Sequence, residues 1–161
     1  MRLAVGLSFL VASLFLAGCG YGGDDEDDQS SAPSTQTAPQ VPAPEDGTGA
    51  LPVDEFNSFV EQARPAFATS ALRTAIEFSN AGEGQAATTS VVASEGAEGN
   101  SDEASVTVTR QGLADDSIRA VRYVLVLDRN GDGTWRLRTA KRLQQCHQKR
   151  GHQNFSPQAC I

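Results

Sequence analysis

The residues of this chain that could do chemistry are few. Three cysteines, Cys19, Cys146 and Cys160, and two histidines, His147 and His152, are the soft or titratable nucleophiles and ligands in 161 residues. A thiol can be acylated, oxidised to a disulfide or used as a metal ligand. Cys146 and Cys160 sit close to the C-terminus, with both histidines between them. In an exported chain the compartment is oxidising, so two cysteines in one domain read most simply as a disulfide. The competing reading takes Cys146, His147 or His152, and Cys160 as a zinc set, with no Cys-x-x-Cys pair to support it.

Asp128-Arg129-Asn130-Gly131-Asp132-Gly133 opens like a calcium loop, with oxygen ligands at positions 1, 3 and 5 and glycine at 6. Position 12 should supply a bidentate glutamate, but it is Thr139, and position 9 is Arg136. The spacing therefore reads as a hairpin turn at Asn130-Gly131, not as a cation site. Catalysis needs a nucleophile, a base and a group to orient the base. The sequence has no Gly-x-Ser-x-Gly elbow, phosphate-cradling glycine loop or His-Glu-x-x-His helix, and the histidines lie in the expected disulfide loop. A noncatalytic domain is the expectation, with no cofactor; a hydrolase is the weaker option.

Charge is unevenly spread. The whole chain carries −7. Residues 19–103 hold 2 basic and 16 acidic side chains, whereas residues 104–161 hold 10 basic and 4 acidic. This asymmetry predicts either that the basic end meets an anionic partner or that the two halves meet each other. The candidate anion-binding residues are Arg136, Arg138, Lys141, Arg142, Lys149 and Arg150. An anionic envelope polymer, lipid head groups or an acidic protein fits that face. Nucleic acid does not, because the compartment is wrong and the net charge is negative.

Three segments must position these groups. Residues 1–18 have one positive charge at Arg2, an apolar run from Leu3 to Leu16 and small residues at its end, the pattern of a cleaved signal. Crossing a bilayer takes about 20 apolar residues, more than this run supplies. Residues 19–50 contain Asp24-Asp25-Glu26-Asp27-Asp28 followed by Ser, Thr, Gln, Ala and Pro. That composition buries too little apolar surface to offset ordering, so a disordered acidic tether is expected.

Residues 51–161 form the expected folded domain. Phe56, Phe59, Val60, Ala63 and Phe67 share a helical face, with Asp54 as the cap. Pro65 divides this from a second helix presenting Leu72, Ala75, Ile76 and Ser79 and ending near Gly82. The period then becomes two. Strands are expected at Ala87 to Ala93, around Val106 and Val108, from Arg119 to Leu127 and from Trp135 to Ala140, with a glycine-rich loop from Glu95 to Asp102. The fold class is α+β: two N-terminal helices on a three- or four-stranded antiparallel sheet, with a C-terminal disulfide loop.

Two resemblances extend this reading. Leu16-Ala17-Gly18-Cys19 closely resembles the lipobox of bacterial lipoproteins. That resemblance implies a diacylglycerol thioether on Cys19, cleavage after Gly18 and acylation, for example by palmitate, of the new N-terminus. Two or more chains give a stable membrane anchor. Gly20, in place of an aspartate, implies the periplasmic face of the outer membrane in a two-membrane host, and otherwise the outer face of the cell membrane. Trp135-Arg136-Leu137 through Cys146, then Arg150-Gly151-His152-Gln153, Phe155-Ser156-Pro157 and Cys160, is similar to the tail of small bacterial lipoproteins with no assigned activity. More distantly, the domain is similar to cone-shaped α+β folds of the nuclear-transport-factor type. There helices and a curved sheet enclose a pocket, which here would be lined by Trp135, Tyr123 and the phenylalanines. The sequence therefore supports an envelope-anchored interaction module first and a small-ligand-binding domain second.

Overall fold

The structure is a computed structural model that describes residues 37–41, 44, 47–81, 84–94 and 101–161. The signal, the lipobox, Cys19, the acidic run and Gly82 lie outside the described residues. Among the described residues no helix is long and apolar enough to cross a membrane.

A short strand β1 (Ala50–Leu51) leads into helix α1 (Asp54–Ala63), a 3-10 turn (Ala66–Thr69) and helix α2 (Ala71–Ala81). Strands β2 (Thr88–Ala93), β3 (Glu103–Gln111), β4 (Ile118–Arg129) and β5 (Trp135–Cys146) follow. The sheet is antiparallel throughout, in the order β1-β5-β4-β3-β2. The α+β class holds. The sheet has five strands instead of three or four, because β1 is only two residues long and carries no alternation to betray it. It also precedes the helices, so they are not N-terminal to the whole sheet.

Local chemistry explains the boundaries. Asp54 is the first residue of α1 rather than its cap; Val53 holds the cap position with no side-chain bond. The acidic pair Asp54 and Glu55 instead faces the positive end of the helix dipole. The helix ends where Arg64 turns left-handed (φ 45°) and its N–H donates to the Val60 carbonyl, with Pro65 barring continuation. In α2 the inward face is Ala71, Thr74, Ala75, Phe78 and Ser79, all fully buried, while Leu72 and Ile76 are half-buried. The small residues let the helix lie close to the sheet and leave Phe78 as its one large side chain that is fully buried.

Period-two alternation appears most clearly in β4. Val121, Tyr123, Leu125 and Leu127 are buried beneath the helices, while Arg122, Val124, Val126 and Asp128 face outward and are half-buried. Val106 and Val108 of β3, with Leu137 and Ala140 of β5, complete the inner layer. A register shift beside Val126 and Leu127 switches the parity of β5, so Arg136 and Arg138 are followed by exposed Thr139 and then by buried Ala140. The connection between β4 and β5 runs from Asn130 to Thr134. The Asn130 N–H donates to the Thr134 carbonyl at 2.7 Å and the Gly133 N–H to the Asn130 carbonyl at 2.9 Å. A hairpin stands here as expected. Its left-handed residue, however, is Gly133 (φ 85°) rather than Gly131, which makes it a longer loop than a two-residue Asn-Gly turn.

Ala38 and Val41, which composition assigns to the tether, are half-buried against the core. The aromatic core is contiguous. Phe78 meets Phe56 edge-on at 5.2 Å and Tyr123 edge-on at 6.4 Å, and Phe67 stacks near both Phe56 and Phe59.

Candidate functional site

The C-terminal residues singled out by sequence come together at the β5 end of the sheet. Cys146 and Cys160 form a disulfide, with Cα atoms 5.5 Å apart. The loop it closes is pinned along its length. The Gln144 N–H donates to the Ser156 carbonyl and the Ser156 N–H returns the bond to Gln144. The Gln144 side chain, buried, donates through Nε2 to the Gln158 carbonyl at 2.7 Å and accepts through Oε1 from Arg142. The Cys146 N–H donates to the His152 carbonyl, and the Ile161 N–H to the Arg150 carbonyl. Gly151 lies against the disulfide; a Cβ there would come within 2.9 Å of the Cys146 Sγ.

His152 is the histidine that lies beside the sulfurs, its ligand atom within 4.8 Å of both. Its Nδ1 sits 2.8 Å from the Asn154 carbonyl and its Nε2 2.9 Å from the Gln158 carbonyl. Both nitrogens are engaged by the loop's own backbone, and the sulfurs are bonded to each other. In this oxidised form the three groups brace a loop; the zinc reading would need the disulfide open.

The six candidate anion-binding residues divide into three sets. Arg136 and Lys141 are exposed on the outer face of the sheet, opposite Asp128 and Val124 respectively, with no acidic partner among the described residues. Arg138 shares that face but is already neutralised. Its Nε and Nη2 donate to Asp128 and its Nη1 donates to Glu103 at 2.8 Å. Those hydrogen bonds, to Asp128 first and Glu103 second, raise the guanidinium pKa above its ordinary value. Arg142 pairs with Tyr123 in register and so belongs to the helix-side face, at the sheet margin. Lys149 and Arg150 are in the disulfide loop, where Arg150 pairs with Asp116 at 2.9 Å. Asp115 beside it accepts three hydrogen bonds, from the Ile118 N–H and from the Ser117 hydroxyl and N–H. Together these hold its carboxyl below the ordinary 3.8.

The outer face itself is a plateau of valines and threonines. Val92, Thr107, Val124, Val126, Thr139 and Leu143 lie on it, and the helices pack on the opposite side. At its loop-side margin the Arg122 guanidinium stacks 3.8 Å from the Phe155 ring centroid and donates through Nε to Thr109. The face is therefore aliphatic and hydroxyl surface rimmed by Arg122, Arg136 and Lys141.

The calcium-like loop is spent on its own turn. Asp128 binds Arg138, and Asp132 Oδ1 accepts from the Thr134 N–H and hydroxyl, which lowers its carboxyl pKa. Asp132 also faces Arg64 at 3.5 Å, tying the end of α1 to the hairpin. The aromatic pocket lining expected from a cone-like fold is filled core: Trp135, Tyr123, Phe56 and Phe78 are buried against one another and their neighbours. Among the described residues, surface grooves lie along α1 (Glu55, Ser58, Phe59, Gln62) and at the end of α2 (Asn80, Gln85, Arg110).

Two structural side chains escaped sequence reasoning. Arg110 is only 5 % exposed, and it donates to the Ser79 carbonyl at 2.8 Å and to the Gly84 carbonyl. Its Nε has no hydrogen-bond partner among the described residues. A cation on the Ser79 carbonyl satisfies one group of the last turn of α2 and opposes the helix dipole, while Gly84 lies beyond the helix. The signal was available: Arg110 continues the core parity of Val106 and Val108. Asn57 is the other. Its Nδ2 donates to the Leu137 carbonyl and its Oδ1 accepts the Leu137 N–H, so one amide imitates a neighbouring strand and docks α1 onto β5.

An antiparallel sheet with helices on one face defines the class of this protein as a two-layer α+β domain. Comparison with protein-family models, curated proteins and solved structures finds no match to this chain.

Proposed function

We propose that the chain is a lipid-anchored protein of the bacterial cell envelope whose folded domain is a noncatalytic interaction module, docking an anionic partner on the open face of its sheet. The observation that carries the docking half is the outer sheet face. It has Arg136 and Lys141 exposed without acidic partners among the described residues, beside a plateau of valine and threonine. The anchoring half rests on Leu16-Ala17-Gly18-Cys19, with the acidic residues that follow serving to hold the domain off an anionic membrane surface.

Radiolabelled palmitate should enter the chain in a bacterial host, and Cys19→Ala should abolish it; labelling that survives the substitution removes the anchor. For the docking face, the oxidised full chain carrying Cys19→Ser is to be passed over immobilised polyglutamate at graded salt. Retention should fall steeply as salt rises. Arg136→Ser with Lys141→Ser should weaken binding roughly fivefold, since each exposed charge contact is worth under about 1 kcal/mol. Arg150→Ser should change it much less, because Arg150 lies in the disulfide loop, away from that face, and is paired with Asp116. Salt-independent retention, no retention, or equal effects of all three substitutions would sink the proposal.

A further inference from the structure

The two edges of the sheet are built differently. Along β5 the outward backbone groups are taken up at nearly every opportunity. Asn57 pairs with Leu137, β1 pairs at Ala140 and Lys141, the Gly49 carbonyl accepts from Arg142, Ser156 pairs with Gln144, and the His152 carbonyl accepts from Cys146. At the other edge β2 pairs with β3 alone among the described residues. Its six residues, Thr-Thr-Ser-Val-Val-Ala, include no lysine, no proline and no register shift, the devices by which exposed edges are normally blunted. Val92 is 66 % exposed.

The direction of each backbone group on β2 follows from its ladder. The Ser94 N–H donates to the Ser105 carbonyl, and hydrogen-bonded pairs recur at every second residue. Ser90 and Val92 therefore turn their amides toward β3, and Thr89, Val91 and Ala93 turn theirs outward. We propose that β2 pairs with β2 of a second copy, antiparallel about a two-fold axis through Val91, to give one continuous ten-stranded sheet. In this register Val91 faces Val91, Thr89 faces Ala93 and Ser90 faces Val92. Every outward amide and carbonyl of the three residues on each strand finds a partner, and the outer and inner faces of the two sheets coincide. A second copy fits better than another partner because the bonding pattern complements itself. The strand also carries no charge, so pairing brings no like charges into direct opposition in a chain of net −7.

Sedimentation equilibrium of the oxidised full chain carrying Cys19→Ser, from about 1 to about 500 µM, should show a monomer–dimer equilibrium, since an interface of a few strand residues is small and weak. Val91→Pro removes only an outward N–H and spares the β3 ladder, so it should raise the dissociation constant at least about tenfold with a native circular-dichroism spectrum. Val92→Lys, on the outer face, provides the same reading if the proline variant does not fold. Val91→Cys should form an intermolecular disulfide, because facing residues of a hydrogen-bonded pair lie about 5.5 Å apart. Ala93→Cys, displaced four residues from its own copy, should not. A monomer at every concentration, a dimer indifferent to Val91→Pro and Val92→Lys, or equal crosslinking at positions 91 and 93 would overturn the assignment.

Discussion

Phe78→Ala should destabilise the domain by about 4 kcal/mol, the upper part of the range for removing a buried ring. Phe78 is the one large side chain of α2 that is fully buried, and it meets Phe56 and Tyr123 edge-on. Its loss leaves a cavity walled by a helix on one side and β4 on the other. Neither can collapse into it, because Thr74, Ala75 and Ser79 already bring α2 close to the sheet. Small domains have only about 5–15 kcal/mol of stability in total, so the variant should be close to its unfolding threshold at physiological temperature. Urea denaturation followed by Trp135 emission reads this directly. Phe59→Ala, which truncates a half-buried ring at the margin of the same cluster, should cost well under half as much. Equal losses at the two positions would mean that the core is not organised around the α2 contact.

Removing the disulfide comes next in size. Cys146→Ala with Cys160→Ala should cost about 3 kcal/mol, the chain-entropy value for a closed loop of about 15 residues. That corresponds to a fall in melting temperature of roughly 10–15 °C for a domain of this length. The loss should also be local. With the covalent tie gone, the His152 contacts and the Ile161 to Arg150 bond rest on a loop held by noncovalent contacts alone, chiefly those of Gln144 with Ser156 and Gln158, and Lys149 and Arg150 should become sensitive to trypsin. Differential scanning calorimetry and limited proteolysis, each with and without reductant, measure the two effects. A change below about 1 kcal/mol would show that the Gln144 pairing, not the disulfide, holds the loop.

The two substitutions test opposite ends of the same layer. Phe78 binds the helices to the sheet from within, while the disulfide loop seals the β5 edge from outside. Arg136 and Lys141 lie on the face between the two edges, so their removal should leave stability nearly unchanged. A binding defect in that pair would therefore report on recognition.

The sequence by itself determined much of this protein. Alternation from Arg119 to Leu127 marks a central strand because a period of two with apolar residues on both faces has no other stable home. The change from helical to strand period near residue 85 separates the two layers. Two cysteines close to one another in a small domain announce the bond that Cys146 and Cys160 form. The resemblance of Leu16-Ala17-Gly18-Cys19 to a lipobox is likewise a short linear signal, legible without a fold, and it lies outside the described residues. Only the tertiary structure decided what depends on contacts distant in the chain. A two-residue strand such as β1 has no period and exists because β5 offers it an edge. Arg110 is buried because α2 ends above it, and the use of Asn57 as a false strand needs β5 eighty residues away. The apparent basic face also divides in space: Arg138 and Arg150 find Asp128, Glu103 and Asp116, which sequence distance conceals, and the register shift in β5 sends Arg142 to the other face. Charge in a sequence is a sum, whereas charge available to a partner is what remains after folding has paired it.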